Sequence, residues 1–203
     1  MNPRFAIRVG LFVLALAWVP WGCEGQADGP PDQSQVVPAG WTAGGMERGW
    51  KFVVLHHSAT ATGSVESIDA EHRQRTDSQG NPWRGIGYHF VVGNGHGLDD
   101  GEVAPTFRWR EQAAGAHAGS AEHNEHGIGI CLIGNFEQDA PTPRQLESLR
   151  RLVGYLKSEY GIPTERVLKH GDLKATACPG RKFPAVEIAK TKPWDRRPVA
   201  VQQ

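Results

Sequence analysis

The chain has 203 residues, with 22 Lys and Arg against 22 Asp and Glu, so its formal net charge is zero when histidine is neutral. This balance argues against a nucleic-acid-binding protein, which usually carries a basic surplus. The 25 glycines and 14 prolines predict many turns, without a collagen-like period. The length fits one domain with extra segments, and three cysteines, an odd number, make a pure disulfide framework a poor explanation.

The N-terminus has the composition of a targeting segment. Arg4 and Arg8 precede an apolar run of 13 residues from Val9 to Trp21. That run is short for a hydrocarbon core of ~30 Å, so residues 1–22 are predicted to be a secretory signal peptide. The alternative is a membrane anchor that is not cleaved.

Gly22-Cys23 resembles a bacterial lipoprotein cleavage site, although Pro20 and Trp21 depart from the usual pattern. Acylation of Cys23 would attach the protein to a membrane, whereas a plain signal would release it. Both alternatives predict an exported protein in the periplasm or cell envelope.

Residues 23–48 are rich in Gly, Pro, Gln, Asp and Ser and have few apolar side chains. Such a composition offers too little apolar surface to offset the entropy of ordering, and it predicts a flexible linker. The folded domain is predicted over 49–195, followed by a short tail at 196–203. A monomer is the default expectation.

Within the domain, strands alternate with helices. Apolar runs predict strands at Phe52–Leu55, Tyr88–Val92, Ile128–Ile133 and Val167–Leu168. A polar segment with spaced apolar residues predicts a surface helix over Glu66–Thr76. A second helix is predicted from Thr142 as N-cap and Pro143 as first helical residue to a stop at Tyr160-Gly161. The order predicts an α/β fold with a mixed central β-sheet.

Two of these strands end in histidine. His56 and His57 close the first strand and His170 follows the last, with Cys178 eight residues further on. An ordinary loop residue is the commoner interpretation of any one histidine alone. Two strand-end histidines and a loop cysteine can nevertheless converge, and three N and S ligands with an open fourth position are typical of catalytic zinc.

Five segments, in this order, resemble the zinc-dependent N-acetylmuramoyl-L-alanine amidases, the family shared by phage-type amidase lysozymes and peptidoglycan recognition proteins. They are 55–60 (LHHSAT), 87–90 (GYHF), 115–119 (GAHAG), 128–136 (IGICLIGNF) and 170–180 (HGDLKATACPG). The resemblance covers about residues 50–190. It implies a single domain whose mixed sheet is flanked by helices, with zinc in a surface groove. It further implies hydrolysis of the amide bond between N-acetylmuramic acid and L-alanine in peptidoglycan or muropeptides.

The resemblance also assigns residue roles. It implies that the zinc ligands are His56, rather than His57, together with His170 and Cys178. Tyr88 matches the active-site tyrosine of the family, and Thr176 matches a position occupied by Thr in catalytic recognition proteins. Both hydroxyl groups are expected to stabilise the oxyanion or orient the water.

Further residues are candidates for the surroundings of the zinc. The resemblance places His117 beside the substrate groove, the alternative being an exposed loop histidine. His57 is a second candidate substrate contact. Trp109 would stack on a sugar face or pack in the core.

Two other residues have open alternatives. Asp172 would hydrogen-bond a ligand imidazole or cap a turn. Cys131 stands where some intracellular relatives have a carboxylate, and a small buried core residue is the favoured interpretation.

Two other functions remain open on the sequence. The first is a recognition module that binds muropeptides without cutting them. The second is a zinc peptidase of another class, against which the sequence has no His-Glu-x-x-His motif.

Overall fold

The computed structural model describes residues 37–44, 46, 48–77 and 79–195. Its centre is a five-stranded sheet in the order β3-β2-β4-β1-β5. The strands are β1 (Phe52–His57), β2 (Phe90–Val92), β3 (Val103–Pro105), β4 (Gly127–Leu132) and β5 (Val167–Lys169). β4 and β5 both pair in parallel with β1, β2 is parallel to β4, and β3 is antiparallel to β2. The predicted mixed sheet is therefore confirmed.

β4, at the centre of the sheet, alternates large and small side chains. Because successive side chains of a strand point to opposite faces, Ile128, Ile130 and Leu132 form one face, here called the large-residue face. Gly127, Gly129 and Cys131 form the other, the small-residue face. The register pairs His56 with Cys131, so the imidazole of His56 lies on the small-residue face.

Helix α4 (Pro143–Tyr160) covers the large-residue face. It begins as predicted, because the Thr142 hydroxyl accepts from the Gln145 N–H at 3.0 Å and Pro143 occupies the first turn. It ends at Gly161, whose φ of 63° is left-handed and suits glycine. Leu149, Leu152 and Leu156 are fully buried against the sheet.

The remaining helices are short. They are α1 (Val65–His72), α2 (Phe107–Arg110), α3 (Ala121–His126), α5 (His170–Leu173) and α6 (Ala185–Ala189). Helix α1 ends at His72, four residues before the predicted end at Thr76, because Arg73 already caps it. Strand β1 is longer than predicted, because it includes both histidines.

The N-terminal boundary of the domain lies earlier than expected. Trp41, within the predicted linker 23–48, is 3% exposed and belongs to the same core as α4. Its ring centroid lies 5.7 Å from Tyr155 and 6.1 Å from Trp194, so the two ends of the described chain meet against α4. The expectation of a flexible linker up to residue 48 is wrong for the part around Trp41.

The predicted signal peptide 1–22, Cys23 and the tail 196–203 lie outside the described residues, and they stay predictions. Within the part of the chain that is described, none of the helices has the length and apolar character needed to cross a membrane.

Candidate metal centre

The three predicted zinc ligands come together at one edge of the sheet. One nitrogen each of His56 and His170 and the sulfur of Cys178 all lie within 4.8 Å of one another. The Sγ atom of Cys178 is 3.7 Å from Nδ1 of His56. The three predicted ligands therefore lie close enough together to bind one small cation.

The topology explains this convergence. β1 and β5 are parallel neighbours, so their carboxyl ends meet at the same edge of the sheet. His56 lies near the end of β1, and His170 directly follows β5 as the first residue of α5. The next loop folds back, since the Gly171 N–H donates to the Cys178 carbonyl at 2.8 Å and brings the thiol over β1.

The donor atoms suit zinc. Nε2 of His170 is buried and has no hydrogen-bond partner among the described residues, although buried polar atoms are normally paired. Burial lowers the pKa of His56 and that of His170, which keeps both imidazoles neutral and their lone pairs available. Two neutral imidazoles and a sulfur are a donor set that zinc prefers.

The thiol of Cys178 is held by a backbone hydrogen bond and not by a nearby charged group. The His57 N–H donates to its Sγ at 3.4 Å. Burial raises the pKa of this thiol to about 11, and the His57 N–H opposes that rise. A cation would therefore have to displace a proton from the sulfur, and metal affinity should increase with pH.

Tyr88 lies beside the cluster. Its ring centroid is 5.0 Å from that of His56, and the side chain is half-buried. Burial raises the pKa of the phenol well above its usual value, so the hydroxyl stays protonated and remains a donor. Cys131, which pairs with His56 in the sheet register, is fully buried, as expected.

Thr176 is exposed two residues before Cys178, and its hydroxyl accepts from the Cys178 N–H at 3.3 Å. The hydroxyl lies at the surface of the loop that carries the thiol. Its catalytic role stays a prediction.

His117 is not on an exposed loop. It is buried, and its Nδ1 lies 3.1 Å from Nε2 of His56. Its own Nε2 lies 3.2 Å from the Gly127 carbonyl oxygen. Burial lowers the pKa of His117 to about 3, so the ring is neutral. The alternative of an exposed loop histidine is therefore wrong, and the place of His117 beside the substrate groove stays a prediction.

Two of the expected substrate contacts are corrected. Trp109 is fully buried, packs on Phe90 with centroids 4.6 Å apart, and donates its indole N–H to the Trp41 carbonyl at 3.0 Å. It is core, because the segment around Trp41 covers it. The side chain of His57 points to the large-residue face, where its Nδ1 accepts from the Phe136 N–H at 3.1 Å. Only its backbone reaches the cluster.

Asp172 follows the capping alternative. Its Oδ2 accepts from the Lys169 N–H at 2.9 Å, and its Oδ1 lies 3.3 Å from the Lys169 ammonium. These contacts cap the first turn of α5. The expectation that Asp172 hydrogen-bonds a ligand imidazole is replaced by this local role.

A cavity of about 440 Å³ opens next to Tyr88, and the sequence interpretation missed most of its lining. α1 contributes Glu71 and His72, and Arg75, just after the helix, pairs with Glu71. The loop after β1 adds hydroxyl groups from Ser58 and Thr60. Nδ1 of His72 accepts from the Gly87 N–H at 2.9 Å, which holds the backbone just before Tyr88. The clustering of Ser and Thr between residues 58 and 67 was the available signal.

Comparisons with known proteins agree with this architecture. A peptidoglycan-recognition protein of Drosophila simulans is 30% identical over 151 residues, which span 73% of this chain and 78% of the relative. The structure of the N-acetylmuramoyl-L-alanine amidase LysC from Clostridium intestinale is similar with a TM-score of 0.59 and 34% identity, over 70% of this chain and 83% of that one. Peptidoglycan recognition protein-LE in complex with tracheal cytotoxin, a monomeric diaminopimelic acid-type peptidoglycan, gives 0.52 and 26%, over 68% and 78%.

The chain is thus similar both to proteins named amidases and to proteins named peptidoglycan recognition proteins. Residues 46–181 match the Amidase_2 family, N-acetylmuramoyl-L-alanine amidase, and the chain belongs to this family. The suspected family is thereby confirmed.

Proposed function

We propose that the protein is a zinc-dependent enzyme that hydrolyses the amide bond between N-acetylmuramic acid and L-alanine in peptidoglycan or its fragments. The observation that carries the proposal is the convergence of His56, His170 and Cys178, together with a buried His170 nitrogen that has no hydrogen-bond partner among the described residues. A protein that only bound muropeptides would not need this donor set.

The chain's own groups fit the reaction. Zinc held by these three residues would activate water and polarise the scissile carbonyl. The Tyr88 hydroxyl, kept protonated by burial, can donate to the oxygen of that carbonyl as negative charge develops. The cavity beside Tyr88 offers hydroxyl groups and the Glu71–Arg75 pair to the polar substrate.

The test measures metal content and muropeptide cleavage on the purified protein beside Cys178→Ala. One zinc per chain and release of free stem peptide, both lost in the variant, is the expected result. Cys131→Ala is the matched control, because it removes another free thiol, one that is fully buried and not in the ligand set. Muropeptide binding without zinc or cleavage would replace the proposal by a recognition module.

We also propose that the protein is exported, since peptidoglycan lies outside the cytoplasmic membrane and a basic, then apolar, segment precedes the domain. Lipid attachment at Cys23 is the form to test first. Fractionation of cells that express the native chain or Cys23→Ala should show membrane association for the native chain only. Retention of both in the cytoplasm would contradict export.

A further inference from the structure

Two histidines in contact stand between the backbone of β4 and the candidate zinc position. Nε2 of His56 lies 3.1 Å from Nδ1 of His117, and Nε2 of His117 lies 3.2 Å from the Gly127 carbonyl oxygen. The other nitrogen of His56, Nδ1, faces Cys178. The three contacts form one continuous series of four groups: the Gly127 carbonyl, His117, His56 and the Cys178 thiol.

The Gly127 carbonyl, at one end of this hydrogen-bonded series, determines which nitrogen of each imidazole carries the proton. A carbonyl oxygen only accepts, so the Nε2 atom of His117 must carry its proton. Nδ1 of the same neutral ring is then an acceptor, and His56 donates to it from Nε2. A neutral His56 has one ring proton, so Nδ1 is left with its lone pair directed at Cys178.

The position of the His117 ring is built into the fold. A Cβ atom on Gly129 would lie 2.6 Å from Cδ2 of His117, and one on Gly115 would lie 2.4 Å from the same atom. Real Cβ contacts are not that short, so both positions leave a slot that the imidazole fills. The small-residue face of β4 therefore fixes the ring that in turn fixes His56.

We propose that His117 is a positioning residue that holds His56 in the tautomer with a free Nδ1 lone pair and so increases the affinity of the site for zinc. The inference rests on the proposed function, because it takes His56 as a zinc ligand. It concerns the ligand's tautomer and orientation, and His117 itself does not touch the substrate. Partners of this kind typically change metal affinity 10–100-fold.

The first experiment needs no metal. Long-range ¹⁵N–¹H spectra of histidine-labelled, metal-free protein at neutral pH distinguish the two tautomers of each ring. The expected result is Nε2–H for both His56 and His117. An Nδ1–H tautomer of His56 in the native protein would overturn the proposal.

The second experiment measures zinc affinity by competition with a chelator. His117→Ala should weaken binding about 10–100-fold. His117→Asn should recover part of that loss, because its side-chain oxygen can take the place of Nδ1 as acceptor. Gly129→Ala should reproduce the loss without removing any hydrogen-bonding side chain, since it pushes the imidazole from its slot.

His89 supplies the matched control. It is fully buried, its ring centroid lies 5.7 Å from that of His117, and it has the same kind of bonds, to the Gly129 N–H and the Ala113 carbonyl. His89→Asn should leave zinc affinity unchanged in folded protein. Equal losses in His89→Asn and His117→Ala would overturn the proposal in favour of general packing.

The two proposals fail differently. Tight zinc binding without muropeptide cleavage would contradict the amidase reaction and leave the role of His117 standing. Native affinity in folded His117→Ala, with cleavage intact, would overturn the role of His117 alone. A native protein that binds no zinc would overturn both.

Discussion

The two faces of β4 are built for different tasks. On the large-residue face, Ile128, Ile130 and Leu132 pack with α4 in the main core. On the small-residue face, Gly129 leaves a slot that His117 fills, and His117 is hydrogen-bonded to His56 and to the Gly127 carbonyl. One strand thus separates the apolar contacts that stabilise the fold from the polar groups that would bind zinc.

The comparison shows what a buried polar layer requires. An unpaired buried polar group costs about 1–3 kcal/mol, so imidazoles can replace apolar side chains only where each ring nitrogen finds a partner. His89 and His117 both meet this condition through backbone groups. In the part of the chain that the structure describes, Nε2 of His170 has no such partner, and His170 belongs to the candidate metal cluster.

The largest expected effect tests the large-residue face. Leu152 on α4 is fully buried in the main core, so Leu152→Ala should lower the free energy of unfolding by about 2–5 kcal/mol. Zinc affinity of the folded fraction should not change. Chemical denaturation and chelator competition on the same sample measure both quantities, and a parallel loss of zinc would show that the two faces are not separable.

The next effect tests the small-residue face. Tyr88→Phe should retain zinc and reduce kcat about 10²–10³-fold, since it removes one donor to the developing oxyanion. Thr176→Val should give a smaller loss, because this hydroxyl is exposed to water. Steady-state cleavage of a muropeptide, with zinc content measured in parallel, gives the comparison. Full turnover of zinc-loaded Tyr88→Phe would remove Tyr88 from the reaction.

Acid should destabilise the metal-free protein through the histidines. Burial lowers the pKa of His72 to about 4, against about 6.5 in an unfolded chain, so the unfolded state binds the proton more strongly. The stability from neutral His72 is present above pH 6.5 and is lost as pH falls towards 4. Each such histidine adds a slope of about 1.4 kcal/mol per pH unit within that window.

Urea unfolding at several pH values measures this slope. His72→Asn should reduce it by about one histidine's share, whereas substitution of exposed His96 serves as the control. An unchanged slope in His72→Asn would mean that His72 does not titrate on unfolding in this range.

The smallest expected effect concerns Asp172. Asp172 caps α5, so Asp172→Ala should lower the free energy of unfolding by about 1 kcal/mol or less. Zinc affinity should stay close to native. A tenfold or larger loss of zinc affinity would instead restore the expected contact with a ligand imidazole.

The parts of this molecule that follow from local rules were predictable. Thr142, Pro143 and Gly161 specify the ends of α4 within a few residues of sequence, and the structure has those ends. The apolar runs of β1 and β4 also predicted central strands. The candidate zinc ligands could not be predicted from local rules alone. The order of the five motifs, and the family resemblance that it carries, identified them.

The errors arose where burial depends on distant segments. Trp109 looks like a surface aromatic in the sequence FRWR, and it is buried because Trp41, 68 residues earlier, covers it. His117 stands in a glycine-flanked loop, and it is buried because Gly129 on β4 has no side chain. The alternation of large and small residues in β4 was the visible signal for this slot.

The meeting of Trp41 and Trp194 against α4 has a topological consequence. The described chain enters and leaves the domain at one patch, next to the helix that covers the face opposite His56. Neighbouring ends make a fold tolerant of circular permutation and of insertion into a host loop. We therefore expect that the domain can be inserted into a loop of a host protein, with the sheet edge that carries the candidate metal site left accessible.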